Sequence, residues 1–494
     1  MVGLDPGQFH MSSGRNPHGN ERVILDTAAW PPHQAFLARK LNPTSQNAKW
    51  IPHFARLSAR PRPRSSVRTE QGPPKSKVAG SNPAVGAWLI QNWILNQPTL
   101  VRLVVMMIDR DLAPRLEQAA RNAPAVTLTG PRQSGKTTLC RSVFPDHSYV
   151  SLEATDVRSF ATDDPRAFLA QYPRGAIIDE VQRAPDLPSY LQGLIDADPA
   201  PGRWILTGSQ HFSLLESVDQ SLAGRTSVHQ LLPLSRGEAI RFPRYPQSLE
   251  EALTTGGYPR IFDHGLNPTD WISSYIATYL ERDVRTLRNV GDLSAFARFV
   301  QLCAGRTAQL ANLSSLADDC GVSQPTAKAW LSTLEASFVV FLLPPFHSNQ
   351  RKRLVKMPKL HFYDTGLVCH LLGIRSAQQL VSHPLRGPIF ETWVVSEIAK
   401  QRTHQGLTRG LSFYRDRSGT EVDLVIEHPE RLTLVEAKSA ATPSASFLKN
   451  ARRVAAHLQD QHSCDLIAVY GGDQLQERSE ERLVPWAQLH EADS

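Results

Sequence analysis

Apolar residues begin to recur with a period near Ile108. Ile108, Leu112, Leu116 and Ala119/Ala120 fall three to four apart, the spacing of one helix face. The run AVTLTG (125–130) then reads as a short buried strand, followed by a Gly-rich turn and a second helical stretch. GAIIDE (175–180) and RWILTGS (203–209) contain two more short apolar runs, as strands covered on both faces require. Buried strands alternating with helical stretches predict an α/β fold with a parallel sheet. After Pro233 the pattern is mostly helical to about Ala336, and from Phe338 it is mixed. From Gly387 it reads helix, hairpin, helix, strand, with no internal repeat.

Before Leu100 no such period is sustained. Residues 1–106 hold 12 of the 36 prolines and clusters such as ARLSARPRPRSSVR. That composition predicts disorder. Met107, where periodicity begins, is an alternative start, and the segment before it reads as an over-extension of the reading frame. The charge changes the picture in the same direction. The formal net charge is +7, yet residues 1–106 alone contribute +9 through 13 Lys/Arg against 4 Asp/Glu. The remainder carries 41 basic and 43 acidic residues, so the basic excess is no property of the folded body. The segment could still be a basic arm on nucleic acid, but it lacks aromatic residues interleaved with its charges. The five cysteines are scattered without a CxxC pair, which excludes a zinc ribbon and points to a reducing, cytoplasmic setting. The longest apolar candidate, AVGAWLIQNWILN from Ala84, is broken by Gln91 and Asn92, so no membrane span is expected.

Candidate chemistry enters with GPRQSGKTT (Gly130 to Thr138), which fits G-x-x-x-x-G-K-[ST] between a strand and a helix. Glycines let the backbone wrap so that the loop's N–H groups surround phosphates; the binding residues are Gly130, Pro131 (which has no N–H to give), Arg132, Gln133, Ser134, Gly135, Lys136, Thr137 and Thr138. Lys136 reaches the β/γ-phosphates and the Thr137 hydroxyl ligates Mg²⁺. AIIDE ends a buried strand on Asp179 and Glu180. Asp179 is expected on the sheet beside the loop, holding Mg²⁺ through water, and Glu180 is expected to orient or deprotonate the attacking water. Thr207 and Ser209 end the next strand, either as a γ-phosphate sensor or as strand-end caps.

The series GPRQSGKTT, IIDEVQ, ILTGSQ, LAGR (222–225), LPLSRGE (232–238), GGYP (256–259) and YLERDV (279–284) resembles the AAA-type ATPases that carry a C-terminal domain of unknown function. The resemblance covers Met107 to the C-terminus and implies a doubly wound P-loop core with ATP and Mg²⁺ as cofactors. It makes Arg225 a candidate arginine finger or γ-phosphate sensor, the alternative being a surface ion pair. An arginine of that kind often acts across a subunit boundary, so a homo-oligomer is expected.

Two later stretches bear on a second site. NLSSLADDCGVSQPTAKAWLSTLEAS (312–337) reads as two helices about a turn at Gly321, with Ser323 capping the second. FVVFLLPPF and KLHFYD flank the basic loop RKRLVK (351–356), giving a winged-helix outline, whether as DNA reader or as packing module. In LSFYRDRSGTEVDLVIE and LTLVEAKSA, Glu436 and Lys438 share a strand face, and the neighbouring strand brings Asp423 close. A helical acid, Glu391 with Glu397 in reserve, completes a cluster that would need a divalent cation. This layout resembles the PD-(D/E)xK nuclease fold.

The expected organisation is therefore an extension (1–106), a P-loop AAA-type core (107–235), a helical segment (236–305), a winged-helix-like domain (306–365) and a PD-(D/E)xK-like domain (366–494). The expected activity is Mg²⁺-dependent ATP hydrolysis that rearranges the C-terminal domains. Its alternatives are an ATP-regulated, metal-dependent DNA nuclease and a nucleotide-switched DNA-binding regulator.

Overall fold

The structure is a computed structural model. It describes residues 11–15, 21–25, 108–209, 221–280, 292–346, 356–478 and 481–491. Residues 1–90 and 91–494 form two separate units. In the first, β1 (Met11–Arg15) and β2 (Glu21–Leu25) pair antiparallel, a hairpin where no strand period was read. The rest of residues 1–107, and with it the expectation of disorder, lies outside the described residues.

The second unit begins with a five-stranded, all-parallel sheet. Its strands are β3 (Ala125–Thr129), β4 (Ser148–Ser151), β5 (Ala176–Asp179), β6 (Trp204–Gly208) and β7 (Thr226–Gln230), in the order β4-β5-β6-β3-β7. Every residue of β3, β5 and β6 is buried, because helices cover both faces. Alternation assigns the faces. Val126, Leu128, Ile177 and Ile205 pack with Leu112, Leu116, Leu139 and Cys140 from α1 (Ala113–Asn122), α2 (Lys136–Val143) and the residue before α1. Ala125, Ile178, Trp204 and Leu206 pack with Leu187, Leu191 and Ile195 of α3 (Leu187–Ala197).

Beyond the sheet, α4 (Leu249–Thr255) and α5 (Pro259–Asp263) lead to α6 (Leu293–Gly305). Then come β8 (Gln309–Leu310), α7 (Leu313–Cys320), α8 (Gln324–Ala336), β9 (Val340–Leu343) and β10 (Lys359–Phe362). Gly321 (φ 69°) makes the turn between α7 and α8, and Ser323 Oγ accepts the Thr326 N–H at 3.2 Å. The three strands form an antiparallel sheet ordered β8-β10-β9. The basic loop Arg351–Arg353 lies outside the described residues.

After α9 (Thr365–Leu371), the 19-residue helix α10 (Arg386–His404) leads into β11 (Leu411–Arg415), β12 (Glu421–Glu427) and β13 (Arg431–Lys438), then α11 (Lys449–Leu458) and β14 (Ser463–Tyr470). β15 (Gln476–Arg478) and β16 (Glu481–Pro485) complete a six-stranded sheet ordered β11-β12-β13-β14-β16-β15. β12 and β13 are the expected antiparallel hairpin, and β13 runs parallel to β14. One sheet face packs on α10 through Phe390, Val394 and Ile398, the other on α11 through Ala451, Val454 and Leu458. The apolar cluster containing α10 takes in residues from Leu234 to Leu489, on both sides of 305/306 and of 365/366. The boundaries expected at 305/306 and 365/366 therefore do not divide this core. Among the described residues no helix is long and apolar enough to cross a membrane, and all five cysteines are free.

Candidate functional site

The loop between β3 and α2 is shaped by close approach. Gly130 has φ 149°, and a Cβ there would stand 2.1 Å from the Leu231 carbonyl oxygen, so only glycine fits beside the chain leaving β7. Gly135 (φ 94°) turns the chain into α2. Lys136, Thr137 and Thr138 of the first helical turn line a cavity of about 1000 Å³. Helix N-termini leave N–H groups unpaired, and these suit an anion. Lys136 is buried, and its Nζ donates to the carbonyl oxygens of Gly130 (3.0 Å) and Pro131 (2.8 Å). Burial pulls its pKa down to about 8, against the neighbouring charges of Glu180 and Asp179. Such an ammonium gains by exchanging neutral carbonyls for phosphate oxygens.

Thr137 Oγ1 donates to Asp179 Oδ2 at 2.9 Å, so the two residues expected to hold Mg²⁺ are in contact. Their oxygens fit a hard, oxygen-seeking cation. The route to that contact differs from expectation. β6 lies between β3 and β5, so Asp179 is not on the strand beside the loop; it meets the site through α2. Tyr149 OH, at 2.9 Å, and Thr207 Oγ1 also donate to Asp179. Glu180 adopts a left-handed conformation (φ 57°, ψ 44°), strained for a non-glycine residue. Its Oε2 accepts from Gln182 Nε2 and, at 2.9 Å, from Ser209 Oγ. Of the two hydroxyls at the end of β6, Thr207 thus pairs with Asp179 and Ser209 with Glu180.

Arg225 stands elsewhere. Its neighbour Thr226 pairs in register with Ala125, the first residue of β3, whereas the phosphate loop leaves the opposite end at Thr129. The guanidinium is committed to Asp196 (Nε–Oδ1 2.5 Å, Nη2–Oδ2 2.9 Å). A sensor role for Arg225 in its own chain's site is therefore corrected: motif order did not reveal which end of the strand it occupies.

The cavity has two characters. Its lining divides by chemistry: Arg132, Gln133, Lys136, Thr137, Glu153 and Glu180 are polar, and Ile108, Ala113, Leu234, Phe242 and Pro259 are apolar. That division suits a phosphate chain joined to a flat base. Arg260 and His264 also line it. They are delivered by GGYP, whose role the sequence left blank. A Cβ on Gly256 would lie 2.4 Å from Asp364 Oδ1, and one on Gly257 2.5 Å from the Leu234 carbonyl oxygen. Asp364 Oδ2 accepts the Gly257 N–H at 2.6 Å, pinning the start of α5 against the cavity.

Arg110 was not singled out by any motif, yet it braces the loop. Its guanidinium donates to Ser134 O (2.7 Å), Leu232 O (2.9 Å) and Glu238 Oε1 (2.8 Å). Glu238 is fully buried in a capping box with Ser235 and also accepts the Asp111 N–H at 2.9 Å. Burial opposes its charge, but Arg110, His404 and these hydrogen bonds hold its pKa down to about 2. Arg110→Ala should destabilise the fold by about 3–5 kcal/mol, because an unpaired carboxylate stays buried. The pair's contribution is present above the ordinary value of 4.5 and is lost as pH falls toward about 2. Acid titration of the variant, followed by circular dichroism, should show unfolding at higher pH than in the parent.

The C-terminal cluster assembles at the start of α10 and on β12 and β13. Asp423 Oδ2 accepts from the Ala437 N–H (2.9 Å) and Lys438 Nζ (3.4 Å), and Lys438 Nζ donates to Glu436 Oε2 (2.6 Å). Glu391 joins them; Glu397 does not. Glu397 accepts from the Arg236 N–H (2.5 Å) and Lys400 Nζ (2.8 Å), toward the ATPase sheet. Two members were missed. Glu421 sits two residues before Asp423 on β12. Lys359, only 1% exposed, enters from β10 with its Nζ 2.7 Å from Glu391 Oε1, in contact with Glu421 Oε1, and 4.0 Å from Asp423 Oδ1. Four carboxylates thus face Lys359, Lys438 and, at the rim, Arg415 (3.1 Å from Glu421). Burial and the Asp423 charge push the pKa of both Glu391 and Glu436 above the ordinary carboxylate range.

Family models match three parts of the chain: the AAA domain at residues 122–240, and two domains of unknown function, DUF8612 at 246–378 and DUF4143 at 386–489. The uncharacterized protein Rv2008c of Mycobacterium tuberculosis is 32% identical over 388 residues, 77% of this chain and 84% of that protein. The uncharacterized protein Mb2031c of Mycobacterium bovis matches with the same figures. Among solved structures, the Walker-type ATPase PABY2304 of Pyrococcus abyssi is 16% identical with a TM-score of 0.37, over 54% of this chain and 96% of that one. A RuvB variant of Thermotoga maritima is 18% identical with a TM-score of 0.27, over 48% and 90%. With the loop, the acidic strand end and the parallel sheet all inside the matched AAA domain, the chain belongs to the family of these mycobacterial proteins, as an AAA-type P-loop ATPase with a C-terminal domain of unknown function.

Proposed function

We propose that the chain binds Mg²⁺-ATP, hydrolyses it, and uses the turnover to rearrange its C-terminal part. Lys136 holds the β/γ-phosphates, Thr137 and Asp179 hold Mg²⁺, and Glu180 orients or deprotonates the attacking water. An arginine-finger role for Arg225 would be exercised across a subunit boundary, in a homo-oligomer.

The observation that carries the reading is a path of contacts along α10. At one end, Glu391 belongs to the carboxylate cluster. Midway, Glu397 and Lys400 hold the Arg236 N–H and the Leu234 carbonyl oxygen, beside the capping box. At the other end, His404 Nδ1 lies 3.8 Å from Glu238, whose partner Arg110 grips Ser134 of the phosphate loop. A rigid helix gripped at both ends can transmit a shift at the loop to the distal sheet. The order α6, β8, α7, α8, β9, β10 supports a winged-helix reading of the middle. The order α10, β11 to β13, α11, β14 supports a PD-(D/E)xK-like reading of the end. Both make DNA the partner class to test.

Hydrogen exchange decides the matter in the Glu180→Gln chain, which is designed to hold ATP without turnover. Saturating Mg²⁺-ATP should change exchange both in the phosphate loop and across residues 386–404. Protection confined to the loop would overturn the rearrangement while leaving ATP binding intact.

A further inference from the structure

The acidic trio Glu391, Glu421 and Asp423 brings one carboxylate oxygen from each within 4.8 Å of the others, close enough to surround one divalent ion. The position among those oxygens is taken. Lys359 Nζ meets Glu391 and Glu421 directly and stands 4.0 Å from Asp423. The ammonium and a divalent ion cannot share the space, since both carry positive charge and both need the same oxygens.

Lys359 is also built in. Its residue pairs on both sides, with Leu310 of β8 and Leu343 of β9, so its backbone is the centre of a three-stranded sheet. Its Nζ lies 5.4 Å from the centre of the Phe413 ring on β11. Burial disfavours its charge, but Glu391, Asp423 and Glu421 outweigh that and hold its pKa above the ordinary lysine value.

We infer that Lys359 is the resident cation of the C-terminal cluster: its ammonium takes the place of a divalent ion among Glu391, Glu421 and Asp423, and the folded chain takes up no metal there. The cluster then acts as a clasp between the β8-β10-β9 sheet and the C-terminal sheet. It is not a hydrolytic centre, although Asp423, Glu436 and Lys438 are in contact there. The inference does not depend on ATP turnover.

Mn²⁺ is the probe, titrated into the full chain without nucleotide and followed by electron paramagnetic resonance. Subtracting the titration of the Asp423→Asn chain removes any Mn²⁺ held by Thr137 and Asp179. The wild-type difference should be zero, and Lys359→Met should gain one Asp423-dependent Mn²⁺ per chain. A wild-type chain that binds Asp423-dependent Mn²⁺ overturns the inference. So does a Lys359→Met chain that still binds ATP but gains no Mn²⁺. If Lys359→Met does not fold, the comparison of wild type with Asp423→Asn decides alone: a zero difference supports the inference and a stoichiometric one sinks it. Loss of ATPase activity would bear on the ATPase reading and leave this result untouched.

Discussion

Lys136→Ala should weaken Mg²⁺-ATP binding by roughly two to three orders of magnitude, the loss expected when one partner of a buried, charge-assisted contact is removed. Little else should change. The side chain touches only loop carbonyls among the described hydrogen bonds, at Gly130 and Pro131. Alanine is the best helix former at the start of α2. Removing a cation whose pKa burial has drawn down to about 8 relieves a desolvation cost as well. Isothermal titration calorimetry with Mg²⁺-ATP measures the loss, and an unchanged thermal melt shows that the fold survives. Undiminished binding would remove the nucleotide site from this loop. The parent chain offers a second check. Phosphate favours the charged lysine, so ATP affinity should hold below pH 8 and decline as pH rises past it.

How much of this was readable in advance follows from where each element sits. β3, β5 and β6 are covered on both faces, so each leaves an uninterrupted apolar run that stands out in the sequence. β4 and β7 are the edges of the same sheet. Ser148 and Tyr149 of β4 and Val228 of β7 are exposed, so neither strand was read as one. The phosphate loop was legible because its chemistry demands particular residues at fixed spacing within nine positions. Arg110 was not, because its partners Ser134, Leu232 and Glu238 lie 24, 122 and 128 residues away. Glu421 could have been found: it is two residues from Asp423, and alternate strand positions share a face. Lys359 left a weaker trace, a lysine in a strand whose burial is complete. Only the fold brings it to carboxylates carried by other strands and by α10.

Glu180→Gln should keep ATP affinity and lose turnover, with kcat falling about 10²–10⁴-fold, the usual contribution of a positioned general base. The substitution is nearly isosteric. Its amide oxygen can still accept from Ser209 Oγ and Gln182 Nε2, which now hold the carboxylate by Oε2. Those two donors leave Oε1 to take the water's proton, a role no neutral amide can fill. The left-handed backbone at residue 180 strengthens the case. A strained conformation kept at the end of a buried strand places the carboxylate on the cavity wall beside Lys136 and Thr137, where the γ-phosphate would lie. Asp179→Asn serves as the contrast. It weakens the Thr137-side metal site, so its defect should ease as Mg²⁺ is raised, whereas the Glu180→Gln defect should not. A phosphate-release assay across a Mg²⁺ series separates the two. Normal turnover in Glu180→Gln would take this residue out of the chemistry and leave Asp179 as the one carboxylate at the site with a mechanistic role.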